Sequence, residues 1–260
     1  MTLTHPDIPT TGAPASYDER VVLIAHGSPD PRHGAGIGRL AERLQRLVGY
    51  DVTASFLEHD TPSAVEALAS PDGGPGMAPG HTTVVPLLFT AGYHWRNDIP
   101  VLLAHDGRRV TLGAPPHPAD FAGVVAGLAG PGCDDVVIAS AGSTRPEIGP
   151  RFAALADALR EPYGIGRVSI ALSVSAITDH ARPGSVVVPF LAADGFFGDR
   201  IRAAAASRDA RTTDVVGDTT AFAETLAVAL GRPSARPVTR ASRAASRATM
   251  LTRPGRSPRR

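Results

Sequence analysis

The sequence has a single cysteine, Cys133, in 260 residues. A lone thiol excludes an internal disulfide and any cluster of thiolate ligands. No run of 18 apolar residues is present either, so no transmembrane helix is expected. The opening "MTLTHPDIPTTGAPASYDER" lacks the basic start and apolar centre of a signal peptide. Residues 1–19 are therefore expected to be a disordered leader, and the cysteine usage fits a cytoplasmic location. Acidic residues are missing from one region: residues 231–260 hold nine arginines and no Asp or Glu. That leaves 17 arginines against 25 acids elsewhere, a net charge of −8. A segment this rich in Arg, Ser and Pro cannot bury enough apolar surface to fold, so residues 233–260 are expected to be a disordered tail. Such a tail can bind nucleic acid or an anionic surface. A solvated role is the simpler expectation, with neither nucleic acid nor a membrane as partner.

What is present is a chain with 43% apolar residues, enough for a real core in one large domain or two of about 100–130 residues. Val21–Ala25 is an unbroken apolar run, as a strand covered on both faces requires. Ile37, Leu40, Leu44, Leu47 and Val48 follow at helical spacing. Asp51–Glu58, Thr82–Phe89 and Arg108–Pro115 read as further strands. Thr61-Pro62 reads as an N-cap and first helical proline, and residues 71–80 as a loop. Alternating strands and helices predict a doubly wound parallel sheet of the α/β class.

The pattern then restarts. "VVLIAHGSPDPRHGAGIGRLAERL" (21–44) matches "VVIASAGSTRPEIGPRFAALADAL" (136–159) at an offset of 115. "VVPLLFTAGYH" (84–94) matches "VVPFLAADGFF" (187–197) at an offset of 103. This internal duplication predicts two similar lobes, residues 20–130 and 131–232, with a cleft between them where a ligand could bind. Since both lobes are in one chain, a monomer is expected.

Comparing the copies separates fold from chemistry. The apolar strands, the Gly-Ser turn and the proline after Val-Val match. The polar residues do not: His26 faces Ala141, His94 faces Phe197, and Glu58 falls loosely opposite Val174. His26, Glu58 and His94 all lie at or just past strand C-termini, the edge at which open parallel sheets bind ligands. Two imidazoles and a carboxylate suit a first-row divalent metal such as Fe²⁺, Co²⁺, Ni²⁺ or Zn²⁺.

At these residues the sequence resembles the sirohydrochlorin chelatases, the class II chelatases of siroheme and cobalamin synthesis. The matching pieces are "LIAHGS" (23–28), "FLEHDTPSAVEAL" (56–68) and "VVPLLFTAGYHWRNDIP" (84–100). The second lobe resembles the degenerate half of two-lobed members. The resemblance implies insertion of Fe²⁺ or Co²⁺ into a metal-free tetrapyrrole, with the metal a substrate and no permanently bound cofactor. It places the metal-binding histidines at His26 and His94 and the acidic residue at Glu58. Ala141 and Phe197 rule out a second equivalent site, and the family pattern does not account for the Arg-rich tail. Neutral imidazoles can both ligate a cation and accept pyrrole protons. The carboxylate-rich substrate calls for arginines in the cleft. Arg32, Arg96, Arg145 and Arg200 are candidates, as are Ser28 and the ring-stacking Tyr93 and Trp95, although each also has a purely structural or solvated reading.

Other motifs point elsewhere. "RHG" (32–34) resembles the histidine phosphatases, but it falls after the strand tip and is expected in a loop. "GAGIG" (34–38) lacks the third glycine of a dinucleotide fingerprint and is read as a flexible loop entering a helix. Strand alternation would turn His59 away from Glu58, toward the surface. His5, His81, His105, His117 and His180 are read as structural or solvated. Three functions follow: a chelatase, a non-catalytic metal or tetrapyrrole carrier using the same cleft, and a phosphatase that would depend on His33.

Overall fold

An apolar strand with no polar face needs partners on both sides and cover above and below. In the computed structural model, Val21–Ala25 has all four. The structure describes residues 19–69, 81–89, 98–99, 102, 110–113, 115–142, 148–230 and 236–237. Strand β1 (Glu19–Ala25) is flanked by β2 (Asp51–Phe56) and β3 (His81–Pro86), both parallel to it. β4 (Val110–Leu112) pairs with β3. The second half repeats the arrangement. β5 (Asp135–Ala139) lies between β6 (Arg167–Ala171) and β7 (Val186–Pro189), and β8 (Arg211–Thr212) follows β7. Strand order is β2-β1-β3-β4 in one sheet and β6-β5-β7-β8 in the other, so the predicted duplication is a duplication of topology.

Its register can be checked bond by bond. Leu87 N–H donates to the Ile24 carbonyl at 2.8 Å, and Phe190 N–H to the Ala139 carbonyl at 2.7 Å. These pairs are related by the same offsets, 115 and 103, that the sequence shows. At the far end of the sheets the geometry is kept but the charges are exchanged. Arg20 pairs with Asp51 at 3.4 Å in the first sheet, and Asp135 pairs with Arg167 at 2.8 Å in the second. Asp135 also accepts hydrogen bonds from Arg182 and Ser185.

The helices lie in three layers around the two sheets. Between the sheets are α1 (Pro31–Val48), α3 (Ala122–Ala129), α4 (Ile148–Tyr163) and α7 (Thr220–Leu230). Alternation sends Val21, Leu23 and Ala25, together with Val136 and Ile138, into this shared interior. Ile37, Leu40 and Leu44 of α1 and Phe152, Leu155 and Leu159 of α4 belong to one continuous apolar cluster. Five phenylalanines sit at its centre: Phe121 stacks on Phe222 at 4.5 Å, and Phe190 contacts Phe89 and Phe152 edge-on at 5.0 and 5.3 Å. Val22 and Ile24 face the opposite way, onto α2 (Ala64–Ala69) and Ile99. Val137 and Ala139 face α5 (Val174–His180) and α6 (Phe196–Ala206).

Several local readings need correction. α1 begins at Pro31, so Arg32-His33-Gly34 and the following glycines are helical and not loop. The Asp30 carboxylate accepts the Arg32 N–H at 3.0 Å, and Pro31 occupies the first turn, a capping arrangement strong enough to outweigh three glycines. Leu47, one of the apolar residues at helical spacing, is exposed. Thr61 and Pro62 precede α2 without capping it, and their peptide bond is cis. Ser63 takes that role: its Oγ accepts from Glu66 N–H at 3.2 Å, and the Glu66 carboxylate accepts from Ser63 N–H at 2.8 Å, a capping box. Finally, the tail expected to be wholly disordered contains β9 (Arg236–Pro237), which adds to β4 antiparallel and is the exception to the parallel pattern.

Candidate functional site

Both parallel sheets point their C-terminal edges at the same space. The tips of β1, β3, β5 and β7 and the segments that follow them enclose a cavity of about 970 Å³. His26 stands at its edge because β1 ends at Ala25 and Gly27 turns the chain. Gly27 has φ +93°, and a Cβ there would collide with the Glu58 carbonyl. Gly142 makes the same turn in the second half, at φ +108° against the Leu172 carbonyl. The tip is tied to the β2 end by bonds from Leu57 N–H to Ala25 O (3.0 Å) and from Glu58 N–H to His26 O (2.9 Å). The His26 ring is exposed, with Nδ1 3.1 Å from the Gly27 carbonyl. Ala141 and Phe197, which occupy the second-half positions equivalent to His26 and His94, line the same cavity.

The remaining wall is mostly apolar: Leu87, Leu88 and Phe89 on one side, Phe190, Leu191 and Phe196 on the other. Phe196 is 56% exposed, and Arg200 lies 5.6 Å from its ring centre. The loop after His26 is held by a carboxylate framework. Ser28 N–H donates to Asp60 at 3.0 Å, while Ser28 Oγ accepts from Asp30 N–H at 3.1 Å. Ser28 thus lines the cavity but is engaged in building its loop.

Other expected residues are placed differently from their sequence reading. Arg32 is not in the cavity wall. Its guanidinium bridges Asp30 and, across the halves, Asp199 of α6, each at 2.6 Å. Arg202 in turn bonds Asp199 and Asp194. The bonds to Arg32 hold the carboxyls of both Asp30 and Asp199 below the usual carboxylate range. Among the described residues no arginine lines the cavity. Glu58 reaches the site through its backbone, whereas its carboxylate points to His59 at 3.5 Å and is outside the cavity lining. His59 is in the lining. Strand alternation fails to predict this because β2 ends at Phe56 and His59 adopts φ +67°, so the pleat no longer sets its direction. Tyr93, His94, Trp95, Arg96 and Arg145 lie outside the described residues. No group of three or more His, Cys, Asp or Glu side chains converges on a metal position among the described residues.

Sequence reasoning missed His33 as part of the cavity lining. Its ring lines the cavity, Nδ1 is 3.6 Å from the Asp60 carboxylate, and burial pushes its imidazole down from the ordinary value while Asp60 partly opposes that. The signal was the Asp30-Pro31 cap: a helix beginning there turns its first-turn residues toward the strand tip. Gly34 and Gly36 also acquire a reason. A Cβ on Gly34 would lie 2.6 Å from Asp60 Oδ1, and one on Gly36 2.7 Å from Ala193 Cβ, so the glycines let α1 close onto both halves of the site.

Comparison with known proteins gives concordant results. Residues 20–117 match the family model described as CbiX. The sirohydrochlorin cobaltochelatase of Saccharolobus islandicus (strain L.S.2.15 / Lassen #1) is 41% identical over 90 residues, which are 34% of this chain and 65% of that protein. The Saccharolobus solfataricus cobaltochelatase is 40% identical over 89 residues, 33% of this chain and 64% of its own. The chain thus spans slightly less than two thirds of the length of these relatives. Among solved structures, the sirohydrochlorin chelatase SirB from Bacillus subtilis subspecies spizizenii in complex with cobalt superposes with a TM-score of 0.64 at 17% identity, over 80% of this chain and 91% of that one. DR2241 from Deinococcus radiodurans, a multi-domain protein with structural similarity to chelatases, gives 0.60 at 25% identity, over 90% and 59%. The fold is therefore that of two-lobed chelatase-like proteins, and the sequence likeness is concentrated in the first half.

Proposed function

We propose, from the match of residues 20–117 to the CbiX family model, that this protein is a sirohydrochlorin chelatase that inserts Fe²⁺ or Co²⁺ into the metal-free macrocycle and releases two protons. The observation that carries this reading is the cavity itself. Its volume of about 970 Å³ is at the upper end of the range for small-molecule sites, and its leucine and phenylalanine walls suit a large flat ring. An exposed imidazole, His26, stands at its rim. The metal is a substrate and is released in the product; no resident cofactor is required. His26 and His94 hold the cation over the ring plane, and Glu58, whose backbone N–H bonds the His26 carbonyl, orients that residue. Arg96 and Arg145 are the arginines left to meet the ring's carboxylates, with Tyr93 and Trp95 stacking on it. The protein acts as a cytoplasmic monomer, since both halves of the site come from one chain.

The test is a steady-state absorbance assay on sirohydrochlorin with Fe²⁺ and Co²⁺ side by side, comparing the wild type with the His26→Ala/His94→Ala double variant. Many product molecules per protein, lost in a folded double variant, are expected. One or fewer per protein would make it a carrier, and full activity in the double variant would remove the metal assignment. The ratio of the two metal rates gives the protein's preference between iron and cobalt.

A further inference from the structure

Metal insertion requires a proton acceptor that the metal ligands cannot be at the same moment. A neutral imidazole has one lone pair; once that pair is on a cation, it cannot take up a proton. If His26 and His94 hold the metal, the pyrrole protons need another destination while the metal–nitrogen bonds form. The other titratable groups in the described lining are Asp30, His33, His59 and Asp194. The Asp30 carboxyl is held below the usual carboxylate range by its bonds to Arg32, and the Asp194 carboxylate is engaged by Arg202. His59 is paired with Glu58 in the solvent-exposed turn.

We propose that His33 is a catalytic base of this site, taking a pyrrole proton at Nε2 while Asp60 stabilises the imidazolium through Nδ1. The inference rests on the metal-insertion reading above. Three features support it. His33 lines the cavity from the first turn of α1, and its side chain is only 18% exposed. Its Nδ1 is buried and has no hydrogen-bond partner in the resting geometry, yet it lies 3.6 Å from Asp60 Oδ2. With Nδ1 turned to Asp60, Nε2 is the ring nitrogen left to a molecule in the cavity. Asp60 in turn is fixed by Ser28 N–H and by the space that Gly34 leaves it, and Phe56 packs edge-on against the imidazole at 6.3 Å. The groups whose charges reach His33 are Asp60 and Asp30, which favour its protonated form, and His26, which opposes it. Burial keeps the ring neutral before the reaction, the form a base requires.

The step balances as follows. A pyrrole N–H bond breaks, its electron pair stays on nitrogen to bind the metal, and the proton forms a bond to His33 Nε2. The imidazolium, now a full donor at Nδ1, closes the gap to Asp60 and later loses its proton to water.

The experiment compares wild type, His33→Asn and His33→Ala with Co²⁺ and sirohydrochlorin, measuring kcat, KM and cobalt binding by the visible spectrum of the bound ion. Asn keeps an amide near the Nδ1 position and removes the base. The expected result is a fall in kcat on the order of 10²-fold in both variants, with KM and cobalt binding within about twofold of wild type. Added imidazole should restore part of the rate to His33→Ala. A kcat within about twofold of wild type in either variant overturns the inference, as does loss of cobalt binding, which would make His33 a ligand. A kcat fall without imidazole rescue also counts against it. If the wild type itself forms no product, the function reading fails first and this inference falls with it.

Discussion

The two halves of this molecule share a backbone and differ in what they hold at its edges. Gly27 and Gly142 make the same left-handed turn at the same strand tip, one after His26 and the other after Ala141. Both tips face one cavity, so the second half has kept its place at the site with Ala141 where the first half has the His26 imidazole. At the opposite end of the sheets, charge was reversed and geometry retained: Arg20–Asp51 in one half, Asp135–Arg167 in the other. The difference shows that backbone register is the shared inheritance of the halves, and that side-chain chemistry is assigned to each separately.

The sharpest way to break this comparison is to move the imidazole. His26→Ala is expected to lower kcat/KM for metal insertion by on the order of 10²-fold or more, and adding Ala141→His to that variant should not restore it. The transferred ring would face Phe197 in place of a second histidine. An absorbance assay on both variants decides it; recovery in the double variant would make the two tips interchangeable.

The next largest effect concerns the reversed ion pairs. Asp135 is 11% exposed and bonded to Arg167, Arg182 and Ser185, whereas Asp51 is 62% exposed. Asp135→Asn should cost about 2–4 kcal/mol and Asp51→Asn less than about 1, measured by denaturant unfolding. The pH dependence follows from the same contacts. Burial pushes the Asp135 carboxyl up, but the bonds from Ser185, Arg182 and Arg167 outweigh it and hold it below the ordinary 3.8. A depressed carboxyl stabilises the fold fully above its unfolded value and stops doing so as pH falls through its folded value. Stability should therefore drop in acid below about pH 4, and that part of the drop should be absent in Asp135→Asn.

The smallest expected effect sharpens the turn comparison. Gly27→Ala should destabilise by about 1–3 kcal/mol, because the new Cβ meets both the positive φ and the Glu58 carbonyl. Gly142→Ala, where the nearest atom would lie 3.0 Å away, should cost less. Equal losses in melting temperature would mean that contact with the Glu58 carbonyl adds nothing beyond the backbone strain.

Much of this architecture was legible in the residues. Apolar runs located the strands because each central strand is covered on both faces, and repeated segments revealed the topology because register survived the duplication. Position at strand tips was enough to bring His26 to the cavity. His33 was not legible in the same way: glycines and prolines around it suggested a loop, while Asp30 and Pro31 in fact cap a helix. His59 escaped because alternation applies only while the strand lasts. Arg32 was read as free to bind an anion, since nothing local reveals that Asp199, 167 residues away, reaches it. Long-range charge pairing is invisible to spacing.

The shared interior has a further consequence for how a ligand reaches the cavity. The five phenylalanines between the sheets belong to one apolar body contributed by both halves. Swinging the halves apart like a clamshell would wet those rings, at about 1.5–3 kcal/mol for each one exposed. Traffic through the mouth must then depend on small rearrangements of its rim, with the sheets themselves staying fixed as an anvil beneath.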